Sequence, residues 1–365
     1  MVDKRVSIIG LGLIGGSIAR ALNERIGIKN IIAIDKNPKD LDSALKYGYI
    51  TEAFTQLNKQ VFESDIIFIC TPVKFTMEYI KLLSENVKPE CIITDVASTK
   101  GEIVNYVNSL ENPPCFVGGH PMAGTEKSGF EAGFVHLFEN AYYILTPTKS
   151  STDSAINLLS EVVRGIGAIP IKLDADEHDI ITATISHVPH VIAFALVNLV
   201  KTSDSHDGKM QLLAAGGFKD ITRIASSSPQ MWESIVLSNK EKIMTIINKF
   251  IESLNKFNEY IDSNNSQNIC SFFENAKNFR DSFSNSKRGL INPLFELIVD
   301  VIDKPGIIGE IATLLGRNEI NIKNINVSNS REFEQGCLRI TLPDSDSVSA
   351  AYTLLSNSGY RVFKI

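Results

Sequence analysis

Over the first 173 positions, apolar residues come in short runs separated by stretches with helical spacing. The runs are VSIIGLG, NIIAIDK, SDIIFICTP, CIITDVAS, CFVGGHP, AYYILTP and AIPIKL. Strand-length runs alternating with helical patterns predict a mostly parallel sheet with helices on both faces. From about residue 174 to 285 the pattern changes. Ile180, Ile181, Thr184 and Ile185 recur at helical spacing, clear strand alternation is missing, and the chain's one tryptophan, Trp232, lies here. This predicts an all-helical domain. Within it, residues 188–200 form the longest apolar run, interrupted by His190 and Asn198. Too short to span a bilayer, it reads as a buried core helix. The polar segment 282–293, rich in Ser and Asn and ending at Pro293, predicts a linker. Beyond it LFELIVDVID, INIKNINVSN, CLRITL and YRVFKI read as strands. PGIIGEIATLLGRN and SVSAAYTLLSNSG read as helices. Their order, βαββαβ, predicts a ferredoxin-like unit. The expected domains are therefore 1–173, 174–285 and 294–365.

Composition narrows the class. At 365 residues and 44% apolar, the chain is long enough for two or three packed domains. A net charge of -6 and a pI near 5.6 leave no general basic surface, so a nucleic-acid partner is not expected. The five cysteines are widely spaced with no CxxC pair, which fits reduced thiols. The N-terminus runs directly into a strand pattern without a secretory signal, so the expected location is cytoplasmic, with no membrane partner.

Gly10, Gly12 and Gly15 spell GxGxxG after the first strand, with Leu13 and Ile14 opening the first helix. The first Gly permits a tight turn, the second admits a pyrophosphate to the backbone, and the third lets helix and strand pack closely. The motif alone is weak. Here a strand precedes it, a helix follows, and the second strand ends in Asp35, whose carboxylate would accept from a ribose and repel a 2′-phosphate. This Rossmann-type constellation points to NAD. Lys36, next in sequence, is the feature that would tolerate NADP. Thr71 and Pro72, after the FIC run, would line the nicotinamide side.

Other chemistry clusters at strand ends and on helices. His120 ends CFVGGH, beside Thr125, Glu126 and Lys127, and Ser98 and Lys100 end the neighbouring strand. A lone His is more often structural, but open α/β sheets bind ligands at this edge. His187 and His190 stand at i, i+3, and Lys219, Asp220 and Arg223 lie close together. Two histidines are half a metal site at most, and no HExxH or carboxylate motif completes one, so no metal is expected. The charged trio reads either as a solvated helix face or, with Glu126, as a charged entrance. In the second reading Arg223 would clamp a carboxylate through its planar fork.

The blocks GLGLIGGS (10–17), DVASTKG (95–101), GGHPMAGTEKSG (118–129), DEHD with SHVPH (176–190) and GFKDITRIA (217–225) together resemble prephenate dehydrogenases. They occur in that family's order over about 285 residues. The resemblance implies oxidation of prephenate by NAD to 4-hydroxyphenylpyruvate and carbon dioxide, in a homodimer built by the helical domain. It implies His120 as the base for the ring hydroxyl and Ser98 as its helper. Arg223 and His190 would hold substrate, with Thr125, Glu126, Lys219 and Asp220 at the rim, and His187 reads as structural. The tail resembles an ACT domain, which implies a regulatory amino-acid site, with tyrosine as the expected effector. Asp303, Pro305 and Gly306 at the first turn, and Asn321 at the start of the second strand, are the candidate regulatory residues. One departure is Asn318–Glu319, where many such domains carry a Gly.

Three rival readings remain. One is the same chemistry on arogenate. Another is a non-enzymatic NAD/amino-acid sensor, against which stand His120, Ser98 and Arg223. The third is a 6-phosphogluconate-like 3-hydroxy acid dehydrogenase, whose helical-domain lysine is not evident.

Overall fold

In the computed structural model, residues 2–125, 127–285, 295–302, 304–328 and 335–364 are described. Glu126, Asp303 and residues 286–293 of the expected linker lie outside them. The chain falls into two compact units, Met1–Asn255 and Lys256–Ile365.

The first unit holds an eight-stranded sheet. Its strands are β1 (Val6–Ile9), β2 (Ile31–Ile34), β3 (Glu52–Phe54), β4 (Ile66–Ile69), β5 (Ile92–Asp95), β6 (Cys115–Pro121), β7 (Tyr142–Pro147) and β8 (Ile169–Lys172). The spatial order is β3-β2-β1-β4-β5-β6-β7-β8. All pairings are parallel except β6 with β7. β1, β2 and β4 are buried throughout because both faces are covered: Val6, Ile8 and Ile31 point into one core, Ile9, Ile32 and Ile67 into the other. This is why they read as unbroken apolar runs rather than alternating ones. The order reverses between β1 and β4, which places the ligand crevice at the C-terminal ends of those strands.

The helical region begins with a continuous helix, Ala175–Ser203, interrupted by a π turn at Ala183–His187. Only 28% of its most apolar 18-residue window is buried, although by length and composition the helix could cross a membrane. The expectation of a buried core helix is thereby corrected: Ile185 and Leu199 are exposed, and only Val188 and Ala193 of Val188–Ser203 are buried. Helical spacing reports an apolar face without saying what covers it.

In the second unit, Phe257 packs on Phe272 at 4.8 Å between the helices Lys240–Asp262 and Ser266–Asn285. The latter helix includes residues 282–285, read from sequence as linker; Ser282 and Phe283 are exposed there. The C-terminal sheet runs β10-β11-β9-β12, from β9 (Phe295–Ile302), β10 (Asn324–Ser328), β11 (Gln335–Leu342) and β12 (Arg361–Lys364). Helices Ile307–Arg317 and Ser345–Asn357 complete βαββαβ over a core of Leu297, Val299, Ile311, Leu338 and Leu355. Asn321 does not start the second strand: β10 begins at Asn324, and Asn321 lies in the turn before it. Glu319 in that turn has φ +59°, a left-handed conformation that favours glycine.

Candidate active site

The cofactor end is assembled at the β1 turn. Gly10 has φ +95°, and a Cβ on Gly15 would stand 2.0 Å from the Gly10 carbonyl oxygen, so both positions require glycine. A Cβ at Gly12 would meet nothing within 4 Å, which leaves open space over the start of the helix Leu13–Ala21. No side chain caps that helix, so the N–H groups at Leu13 and Ile14 remain available to an anion. Asp35 accepts from Leu11 N at 2.6 Å and Asn37 N at 2.8 Å, which fixes its carboxylate at the end of β2 beside the glycine turn. Lys36 is exposed. Beyond β4, the Thr71 hydroxyl is buried with no partner among the described residues, an orphan polar atom that a ligand amide or hydroxyl would satisfy. Pro72 is exposed at the head of the next helix. These residues fit a dinucleotide.

The chemical end is a chain of hydrogen bonds that begins at His120 on β6. His120 Nδ1 lies 2.8 Å from His178 Nε2, and His178 Nδ1 lies 2.8 Å from Asp179 Oδ1. Asp179 also accepts the backbone N–H of Lys100 at 2.8 Å and of Gly101 at 2.7 Å. A carboxylate only accepts, so His178 donates through Nδ1. With both rings neutral, His178 Nε2 must then accept from His120 Nδ1–H, and His120 Nε2 keeps a lone pair. Burial depresses the His120 pKa well below the usual value, and positive charge on His178, Lys100 or His187 lowers it further. Burial alone would raise the Asp179 carboxyl, but the hydrogen bonds from His178, Lys100 and Gly101 outweigh it and hold it below the usual range. His120 is thus a neutral base with its acceptor nitrogen set by its neighbours.

Beneath this chain, Lys100 and Asp95 form an ion pair, both fully buried. Asp95 accepts Ala97 N at 2.9 Å and Gly119 N at 3.0 Å, which ties the β5 turn to the β6 strand just before His120. Burial lowers the Lys100 pKa and the Asp95 charge opposes that shift. Ser98 is half-buried in the same turn and makes no hydrogen bond to another described residue.

The helical region closes onto this turn. Asn239 Nδ2 donates to the Asp179 carbonyl at 2.8 Å and lies 3.3 Å from His187 Nδ1, while Thr99 and Ser238 hydroxyls meet at 2.9 Å. Burial lowers the His187 pKa to about 4. His190 stacks on Trp232 at 3.9 Å and donates Nδ1–H to the Ser186 carbonyl at 2.8 Å. Lys219, Asp220 and Arg223 are exposed on the helix Gly216–Thr222 and the turn after it; both pack on the helix that carries His190. Thr125 is exposed, and its hydroxyl accepts from Lys127 N at 3.3 Å. The structure therefore joins His120 to His178 and Asp179, and these two, with Asn239, were not singled out from sequence. The available signal was the adjacency of His178 and Asp179 in DEHD, which placed the block but assigned no role.

Among the described residues no group of three or more His, Cys, Asp or Glu could hold a metal ion.

Three family descriptions match the chain: "Prephenate dehydrogenase, nucleotide-binding domain" at residues 18–172, "Prephenate dehydrogenase, dimerization domain" at 174–275, and "ACT domain" at 295–349. The prephenate dehydrogenase of Bacillus subtilis is 39% identical over 361 residues, 98% of this chain and 97% of that protein. Among solved structures, the Aquifex aeolicus prephenate dehydrogenase, in complex with hydroxyphenyl propionate and NAD+, superposes with a TM-score of 0.73 at 36% identity. It covers 78% of this chain and 99% of its own. The Synechocystis arogenate dehydrogenase follows at TM-score 0.68 and 27% identity, covering 76% of this chain and 99% of its own. A glycine turn that fits a dinucleotide, a neutral histidine at the edge of the same sheet, and a relative matched almost end to end agree: the chain belongs to the prephenate dehydrogenase family.

Proposed function

We propose that this chain oxidises and decarboxylates prephenate, with feedback control by tyrosine through its C-terminal domain. NAD is the cofactor, and when bound at the β1 turn it accepts the hydride from C4 of the ring. The observation that carries the reading is the bond chain Asp179–His178–His120, which leaves His120 Nε2 as a neutral acceptor. His120 takes the proton of the C4 hydroxyl as that carbon loses hydride; departure of carbon dioxide from C1 leaves its electron pair to the ring, and the ring oxygen takes the proton back from His120 to give the phenol. Ser98, whose hydroxyl has no described protein partner, orients the substrate hydroxyl. Arg223 holds a carboxylate with His190, and Thr125, Lys219 and Asp220 form the rim. The bound hydroxyphenyl propionate of the Aquifex aeolicus neighbour, a ring acid resembling the product, supports this assignment.

The helical region forms a homodimer, in keeping with the dimerization-domain match and the uncovered apolar face of Ala175–Ser203. The expected domain limits of 1–173, 174–285 and 294–365 are kept as the working division. For the effector, Asn321 lines an open groove of about 420 Å³ with Ala312, Gly316, Glu319, Ile320 and Ile322. Gly306, at φ +94°, caps the helix Ile307–Arg317, after Pro305. Gly306 and Asn321 lie at opposite ends of that helix, so the N-terminus at Gly306 would hold an amino acid's carboxylate and Asn321 would accept from its amine across a dimer interface.

Arogenate is the second reading, favoured by the Synechocystis neighbour. Turnover of prephenate and of arogenate, with NAD and with NADP, each with and without tyrosine, tests the whole proposal by NADH absorbance. Reduction of the dinucleotide by prephenate supports it; reduction by neither acid sinks it.

A further inference from the structure

Residues 122–141 leave β6 directly after His120 and return as β7, and they carry Thr125. We infer that Arg20, on the dinucleotide helix, is a positioning residue for this substrate loop. The inference rests on the placing of substrate beside His120 and Thr125.

Arg20 lies in the last turn of the helix Leu13–Ala21 and is only 6% exposed. Its Nη1 donates to the carbonyl of Phe130 at 2.9 Å, deep in the loop. The guanidinium also lies over the Phe130 ring, 3.8 Å from the centroid, and over Tyr49 at 5.1 Å. Phe130 itself is fully buried, and Tyr47 stacks on it at 6.4 Å. One turn back, Ser17 Oγ accepts from Phe134 N at 3.1 Å. A charged donor on a carbonyl, a cation on a ring and a hydroxyl on an amide thus hold one loop from one helix.

The steric fit is reciprocal. A Cβ at Gly16 would stand 2.8 Å from Phe130 Cδ2, and a Cβ at Gly133 would stand 2.7 Å from Arg20 Nη1 and 3.0 Å from Ser17 Oγ. Gly16 is therefore small because of the loop. Gly10 and Gly15 account for the tight turn at the cofactor, and Gly16, Ser17 and Arg20 form a receptor for Phe130, Gly133 and Phe134. The stretch from residue 10 to residue 20 serves both ligands: its front grips the dinucleotide and its back anchors the loop that meets the ring acid. Release of the loop leaves the cofactor turn intact and removes Thr125 from a fixed place.

The test compares wild type with Arg20→Met, Arg20→Lys and Ser17→Ala in the full chain. NAD binding, kcat and KM for prephenate, the melting temperature and tryptic cleavage after exposed Lys127 are measured. Loss of one charged hydrogen bond predicts roughly tenfold higher KM for prephenate in Arg20→Met, with kcat within about threefold and NAD binding unchanged. Cleavage after Lys127 should quicken by a similar factor, and Arg20→Lys should recover part of both effects. Should Arg20→Met not fold, Ser17→Ala carries the test, with a smaller change in the same two readouts. A lower melting temperature with unchanged KM and unchanged cleavage overturns the inference, as does an equal loss of NAD binding. If wild type turns over neither ring acid, the assignment of substrate fails, and the cleavage pattern alone still decides whether Arg20 holds the loop.

Discussion

The carboxylate of Asp179 stands two hydrogen bonds away from the imidazole of His120, with His178 between them. The relation sets which nitrogen of His120 holds its proton. It also ties that choice to the backbone of Lys100 and Gly101, which Asp179 grips from the other side.

His120→Asn is expected to lower kcat by roughly 10²–10⁴ with a smaller effect on KM, the loss of a general base. In wild type the rate falls in acid as His120 is protonated. Because its pKa is pushed well below 6.5, the midpoint of that fall should lie below pH 6.5. A midpoint at or above pH 6.5 in a steady-state profile would contradict the neutral, desolvated base.

His178→Phe keeps an aromatic ring, though a larger one, and removes both nitrogens. His120 Nδ1 then loses its acceptor and the tautomer is no longer fixed, so kcat should drop roughly 10–100-fold with KM for NAD unchanged. Near-normal turnover in a folded variant would show that the bond chain does not serve catalysis.

Asp35 should make NAD the preferred cofactor, since its carboxylate, fixed at the end of β2 beside the glycine turn, would repel a 2′-phosphate. Asp35→Ser should narrow the ratio of kcat/KM values between NAD and NADP by roughly tenfold or more. A wild-type preference for NADP would mean that Lys36 dominates.

His187 is buried neutral, with its pKa lowered from 6.5 to about 4. The unfolded chain takes up that proton first, so stability is full above pH 6.5 and falls as pH drops toward 4. The slope is up to about 1.4 kcal/mol per pH unit for each such proton. Urea unfolding of wild type and His187→Gln across this window checks it, and the variant should show the shallower slope.

Removal of residues after about 290 should leave an active enzyme with weakened tyrosine inhibition. A coupling of about 1–3 kcal/mol between effector and active site would be lost. If the shortened enzyme is as sensitive to tyrosine as the full chain, tyrosine acts at the catalytic site.

Much of the sheet was legible because buried strands are continuous apolar runs; seven of the eight strands of the first sheet stand out as such runs, β8 among them although none of its residues is buried. β3 does not, since Glu52, Ala53 and Phe54 are half-buried at the edge and leave no apolar run. The glycine turn was legible because its steric demands are local. The His120–His178 contact was not, because it joins positions 58 apart and depends on where the helix Ala175–Thr182 docks. Asn239 escaped for the same reason, since its amide acts on Asp179 and His187 across about fifty or sixty residues. At Glu319, residue type misleads: a left-handed turn is filled by a side chain that rarely adopts it.

The helix Ala175–Ser203 shows Ile185 at 62% and Leu199 at 60% exposure in a single chain. In the proposed homodimer a second copy would cover these residues, so folding and association would share one equilibrium governed by mass action. The melting temperature should then climb with protein concentration. A substitution on this face that looks harmless in a concentrated sample will show its cost only on dilution, in the range where the enzyme works as a catalyst.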